Sequence, residues 1–167
     1  MPKTYRVAPI GVSQIDQAYP LARPLAPSLD LEAWRALCRK ATDRRSPGAD
    51  GDRIIVATNP LGYVQGLCVA SVKESPAEGR VLDVPIFAVA SAADEAGVVC
   101  DLLQYLQDLG RNGGCGSVRI WTLAQDNRTR FLGGGEYQPW DHGLLVLLAP
   151  NGAKPADGTP ASDPIFP

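Results

Sequence analysis

The stretch "SAADEAGVVCDLLQYL", Ser91 to Leu106, follows an apolar run and opens a helical period. A helix start after a strand is a place where backbone N–H groups and the positive end of the helix dipole hold phosphate. Here the turn carries two acids, Asp94 and Glu95, and one glycine, Gly97. Ser91 and Asp94 have the spacing of a capping box, with the serine oxygen accepting from the helix start and the aspartate reaching back. Asp94 and Glu95 then satisfy the dipole themselves, by roughly 0.3 to 1 kcal/mol each, and oppose an incoming anion. The backbone donors do not depend on side-chain identity, so the sequence leaves both readings of this turn open.

Other side chains capable of chemistry are sparse. His142 is the single histidine and lies in a turn between Asp141 and Gly143, so a Cys–His or Ser–His nucleophile would have to be built on a turn residue. Cys38, Cys68, Cys100 and Cys115 are scattered with no C-x-x-C pair, and no metal site is expected. Thiols in such apolar surroundings pack as small hydrophobes in a reduced protein. "GGCG", Gly113 to Gly116, precedes a strand rather than a helix and reads as a loop, not a phosphate cradle.

Composition narrows the function classes. With 167 residues and 45% hydrophobic side chains the chain can bury one core, and one domain is the expectation over residues 1–149. Sixteen basic against eighteen acidic side chains give a net charge of -2, which supplies no global field to gather nucleic acid or an anionic membrane. The basic cluster "RKATDRR", Arg39 to Arg45, reads as the solvated end of a helix. The start "MPKTYRVAPIG" lacks the pattern of a signal peptide, and no apolar run reaches the roughly 18 residues of a spanning helix. A cytoplasmic protein, bound neither to membrane nor to nucleic acid, is expected.

The elements that must position any site follow from periodicity. "TYRVAPIG" is a first strand, and Ile15 to Leu25 a helix interrupted by Pro20 and Pro24. In "SLDLEAWRALCRKA", Asp30 is an N-cap, and Leu31, Trp34, Leu37, Cys38 and Ala41 form one buried face. "RIIVATNPLGYVQGLCVASVKE" is a hairpin turning at Asn59-Pro60-Leu61-Gly62. "RVLDVPIFAVA" is apolar almost throughout and belongs in the middle of a sheet, with Pro85 as a bulge or as the point where this strand leaves its neighbour. Val99, Leu102, Leu103, Leu106 and Leu109 make the apolar stripe of the quoted helix, which Gly110 stops. "SVRIWTL" is a fifth strand, "QDNRTRFLGGG" a short fourth helix, and "YQPW" and "GLLVLLA" two closing strands. Residues 150–167 form a Pro/Gly-rich tail without a period.

This order of elements resembles the GNAT superfamily, the GCN5-related N-acetyltransferases, over about Tyr5 to Leu148. "GYVQG" looks like the family's third-strand entry, "IFAVASAADEAGVVCDLL" like its fourth strand running into the acyl-CoA pyrophosphate loop and third helix, and "QDNRTRFLGGGEYQPW" like its fourth helix and following "GF" step. The resemblance implies a mixed α/β, α+β-like fold. Its central sheet would be mostly antiparallel, with six or seven strands, about four helices, and a splay between the fourth and fifth strands that takes the pantetheine of acetyl-CoA. It implies an acyl-CoA-dependent N-acyltransferase in which a small amine or peptide amine attacks the thioester directly, and it allows a homodimer. The implied cofactor-binding residues are Phe87, Ala88 and Val89 on the fourth strand, Gly97, Val98 and Val99 in the loop, and Asn127 or its neighbour Gln125 on the fourth helix. Asp83 and Glu74 are the carboxylates near the implied cleft that could act as base. The alternative for each is an ion pair or loop contact for Asp83 and a solvated strand end for Glu74.

The sequence also departs from the family pattern. Of the loop residues Asp94, Gly97 and Val99, only Gly97 matches the family's Gln or Arg, glycine, and glycine or alanine. Leu132 stands where a thiolate-protonating tyrosine is often found, which leaves Tyr137, five positions on, as the candidate acid. These departures support a second reading, a catalytically inactive domain of the same fold that serves as a protein interaction or regulatory module.

Overall fold

A computed structural model describes residues 4–43, 51–121, 137–140 and 143–149. The strands are β1 (Arg6–Pro9), β2 (Arg53–Thr58), β3 (Val64–Ser75), β4 (Gly79–Val89), β5 (Ser117–Ile120), β6 (Tyr137–Trp140) and β7 (Gly143–Leu147). The helices are α1 (Ile15–Ala22), α2 (Leu31–Thr42) and α3 (Glu95–Asn112). The strands join in one sheet of order β1-β2-β3-β4-β5-β7-β6, in which only β4 and β5 run parallel. The mostly antiparallel sheet is as the resemblance implies, and the central fourth strand as its apolar run predicts. The region read as a fourth helix and the tail both lie outside the described residues.

Local chemistry explains the boundaries. Asp30 caps α2 by accepting from the Ala33 N–H at 2.8 Å. The β2–β3 hairpin turns where Gly62 takes φ +85, while Oδ1 of Asn59 accepts from the Leu61 and Tyr63 N–H groups. Helix α1 passes through Pro20 and ends at Ala22, earlier than the sequence reading of Leu25: the Arg23 N–H still bonds to the Tyr19 carbonyl at 3.0 Å, and Pro24 has no N–H to continue the ladder.

Alternation along the strands builds two apolar layers. On one face, Ile55, Ala57, Cys68, Ala70, Leu82 and Val84 meet Val98, Leu102 and Leu106 of α3. On the other, Ile54, Val56, Leu67 and Val69 meet Ala18, Trp34 and Cys38 of α1 and α2. The fully buried Trp34 donates its indole N–H to the Ile15 carbonyl at 2.7 Å and so ties the two helices together. Helix α3 packs tightly on Gly66, where a Cβ would stand 2.7 Å from Leu102 Cδ1 and 2.8 Å from Val98 Cγ1. That approach fixes where the start of α3 lies relative to the end of β4.

Candidate functional site

The sheet opens beside β4. Residues Val81 to Val84 pair with Ser117 to Ile120 of β5, and among the described residues the last bond runs from the Trp121 N–H to the Val84 carbonyl at 3.1 Å. Past that point β4 continues to Val89 paired with β3, while among the described residues β5 has ended. Pro85 sits at the divergence and has no N–H to offer a neighbour.

The same position also carries a bulge. Val69 pairs with Ile86 and Ser71 with Asp83, so Val84 and Pro85 together oppose Ala70. The extra residue shifts the phase of β4. Leu82 and Val84 face α3, and the next β4 side chain in that layer is Phe87, three residues on, while Ile86 and Ala88 turn to the opposite layer. Because the Ala90 N–H bonds to the Gln65 carbonyl, alternation directs the peptide groups of Ala88 toward β3 and those of Phe87 and Val89 toward the opened side. The bulge that the sequence offered for Pro85 is therefore realised, and the described pairing of β4 with β5 ends at the same point.

The loop from β4 to α3 holds an internal acid. Asp94 is the N-cap of α3: its Oδ1 accepts from the Gly97 N–H at 3.0 Å, and its own N–H donates to Ser91 Oγ at 3.2 Å. The serine half of the expected capping box is thus formed, but the aspartate reaches forward along the helix instead of back to Ser91, its two oxygens accepting from the Gly97 N–H and the Tyr5 hydroxyl. The Val98 N–H bonds to the Asp94 carbonyl at 3.3 Å. The side chains of Val98 and Val99 are buried in the α3 layer. A Cβ on Gly97 would stand 2.8 Å from the carboxyl carbon of Asp94, so glycine is what admits this cap. Tyr5, which periodicity places only in a strand, donates its hydroxyl to Asp94 Oδ2 at 3.1 Å, and its N–H bonds to Asp101 Oδ2 at 3.3 Å. Burial raises the Tyr5 phenol above its usual pKa, with Ser91 opposing and Asp94 and Asp101 adding, which keeps it a donor. No motif links Tyr5 to Asp94 in sequence; only the pairing of β1 beside the start of α3 brings them together.

The carboxylates proposed as bases lie apart. Glu74 is at the hairpin end of β3, its side chain 71% exposed, and pairs with Arg80 at 3.1 Å. Asp83 is only 13% exposed, and its Oδ1 accepts from Arg119 Nε at 2.8 Å and from the Trp121 indole N–H at 2.7 Å. Arg119 also pairs with Glu78 at 3.2 Å and stands 5.4 Å from the Trp121 ring centroid. The signal for this cluster was present in "VRIW": Val118 and Ile120 face the core, so Arg119 and Trp121, two apart, share the other face. Asn127, Gln125 and Leu132 lie outside the described residues, as does the side chain of Tyr137. The backbone of Tyr137 is on β6, beyond β7 from β5. Among the described residues no three His, Cys, Asp or Glu side chains gather as metal ligands, and no helix is long and apolar enough to cross a membrane.

A seven-stranded sheet opening between parallel β4 and β5, with a helix start at the end of β4, is the fold of the GNAT N-acetyltransferases. The chain superposes on glucosamine-6-phosphate N-acetyltransferase of Arabidopsis thaliana with a TM-score of 0.58 and 16% identity, covering 82% of this chain and 97% of that one. An acetyltransferase of Trypanosoma brucei gives 0.59 and 17%, covering 81% and 96%. The aminoglycoside acetyltransferase AAC(6')-Iy, solved with the bisubstrate analogue CoA-S-monomethyl-acetylneamine, gives 0.59 and 17%, covering 75% and 84%. No protein-family model and no curated protein matches the sequence.

Proposed function

We propose that the protein is an acyl-CoA-dependent N-acyltransferase, using acetyl-CoA and a small amine or a peptide amine. The observation that carries this reading is the parting of β4 from β5 at Val84-Pro85, on a fold shared with acetyltransferases. The opened edge offers the peptide groups of Phe87 and Val89 to the amide-bearing pantetheine arm, as a strand would be offered to its neighbour. Ala88, whose peptide groups serve β3, contributes surface only.

The arm running along this edge leads from the start of α3, where a diphosphate would approach, toward the apex at Pro85, where the acyl group would arrive. The two ends fit differently. The strand edge suits the arm, whereas the first turn of α3 already spends the Gly97 N–H on Asp94 and the Val98 N–H on the Asp94 carbonyl. The donor is therefore held chiefly through its arm, and its diphosphate gains little at Gly97, Val98 and Val99. The reaction is direct: the amine nitrogen forms the amide bond as the carbon–sulfur bond breaks, with the amine proton passing to water and the leaving thiolate taking a proton from solvent. Asp83 and Glu74 are held in ion pairs, and neither is assigned the base. Tyr137 and Asn127 stay candidates for the acid and for a pantetheine contact.

The test is titration calorimetry of the full chain with acetyl-CoA and with S-acetyl-pantetheine, followed by amine-dependent thiol release. Saturable binding of both donors, with release of thiol in the presence of a suitable amine, is expected. No heat and no thermal stabilisation at millimolar concentration of either donor would defeat the proposal and leave the non-catalytic reading of the fold.

A further inference from the structure

The apex of the cleft is held by side chains as well as by backbone. Trp121 is attached to β4 twice: its backbone N–H donates to the Val84 carbonyl at 3.1 Å, and its indole N–H donates to Asp83 Oδ1 at 2.7 Å. Arg119, paired in register with Asp83, donates its Nε to the same oxygen at 2.8 Å. The guanidinium is anchored further by Glu78 at 3.2 Å and lies over the Trp121 ring at 5.4 Å. The side chains of Arg119, Asp83 and Glu78 are only 17%, 13% and 23% exposed, so solvent competes weakly for these contacts. Immediately beyond them come Pro85, the bulge and the divergence of the strands.

From this juxtaposition we propose that Asp83 is a positioning residue: with Arg119 and Trp121 it clamps the end of β5 onto β4 and so fixes where the cleft begins and where the acyl group is held. This inference rests on the reading of the cleft as an acyl-donor site. It assigns the Asp83 carboxylate an accepting role toward two donors and no role in moving the amine proton. A backbone ladder alone would end one bond earlier or later with little penalty. The indole and guanidinium contacts make Val84–Trp121 the fixed last rung.

Three variants separate this role from that of a base. Asp83→Asn keeps an acceptor oxygen in place, Asp83→Ala removes it, and Trp121→Phe removes the indole N–H while keeping a ring. Since a misplacement of about 1 Å can cost about a hundredfold in rate, Asp83→Ala and Trp121→Phe should lower kcat by about ten- to a hundredfold while the donor KM moves less than about threefold. Asp83→Asn should retain kcat within about threefold of the wild type, with an unchanged pH profile. If Asn is as damaging as Ala, or if it shifts the acidic limb of the profile, the carboxylate itself takes part in the chemistry and the clamp is wrong. A normal kcat in Trp121→Phe overturns it equally.

Backbone amide exchange of the full chain provides the readout that does not depend on turnover. The Trp121 amide should exchange at least about tenfold faster in Asp83→Ala and in Trp121→Phe than in the wild type, with the amides of α3 unchanged. Unchanged exchange at Trp121 overturns the clamp even if no acyl transfer is found. Faster exchange in a protein that binds no acyl donor would uphold the clamp while the proposed activity fails.

Discussion

The Asp94 carboxylate accepts from the Gly97 N–H and from the Tyr5 hydroxyl, and thereby brings an acidic group to the first turn of α3. A diphosphate approaching the same turn meets like charge where an amide side chain would have met it with a donor. Asn caps a helix about as well as Asp, so Asp94→Asn should keep the bond to Gly97 and lose the roughly 0.3 to 1 kcal/mol of the charge–dipole term together with the acceptor of the Tyr5 hydroxyl, roughly a further 0.5 to 1.5 kcal/mol. The same substitution should tighten acetyl-CoA several-fold while leaving S-acetyl-pantetheine, which has no diphosphate, unchanged. Calorimetric titration of both donors checks this; equal gains for the two would show that Asp94 acts on the arm and not on the phosphates. Tyr5→Phe takes a donor from the carboxylate and leaves its charge less compensated, so it should weaken acetyl-CoA by a smaller step, opposite to Asp94→Asn. The sequence exposed the acid and the cap at this turn, since Ser91, Asp94 and Gly97 are close neighbours in the chain. It could not expose Tyr5, which is 89 residues from Asp94 along the chain and reaches it only through the tertiary fold.

Among the elements, β4 was the most readable and Gly66 the least. The nearly unbroken apolar run of β4 requires two covered faces, and Pro85 requires an interrupted ladder, so both centrality and break follow from residue types. The phase change that sends Phe87 to the α3 layer and Ile86 to the other follows only once the pairing partner is known, because a bulge is a relation between two strands. Asp83 shows the same limit: as one acid on an apolar strand it looked available, and its partners Arg119 and Trp121 lie on a strand that comes alongside only after α3 has crossed over. Gly66 stood in the sequence only as the end of "GYVQG", with no sign of what it meets, yet α3 rests on it. In Gly66→Ala the new methyl must displace Leu102 and Val98, an overpacking that costs about 1 to 3 kcal/mol and lifts α3 from β3. Urea denaturation should show that loss, and acyl-donor affinity should fall with it because the loop from Ser91 to Gly97 moves with the helix. A fully stable Gly66→Ala protein would mean that α3 has room to shift without cost.

At the scale of the whole molecule, the sheet couples its two layers, because β2 and β3 send alternate side chains into both. Ile54 and Val56 belong to the α1–α2 layer and Ile55 and Ala57 to the α3 layer, and Leu67 and Cys68 divide in the same way. Neither layer can lose the sheet without exposing the other, so one cooperative transition is expected. The cysteines report on this directly. Cys38 sits in the α1–α2 layer with its thiol pushed up to about 12, mainly by burial. Cys68 in the α3 layer is raised well above its usual value by burial alone. Cys115 is also buried, whereas Cys100 is exposed on α3. Since the thiolate is the reactive form, a disulfide reagent at pH 8 should modify Cys100 rapidly in the native protein and leave Cys38 and Cys68 to react only from opened states. Raising urea in steps should bring Cys38 and Cys68 into reaction at the same midpoint, coincident with the loss of helical circular dichroism. Reaction of Cys38 at clearly lower urea would show that α1 and α2 leave the sheet as a separate unit, the bond from Trp34 to Ile15 holding the two helices to each other but not to the strands. The α1–α2 layer would then be a cover free to move over the β4 face that carries Asp83, and the side of the cleft bearing Ile86 and Ala88 would open with it.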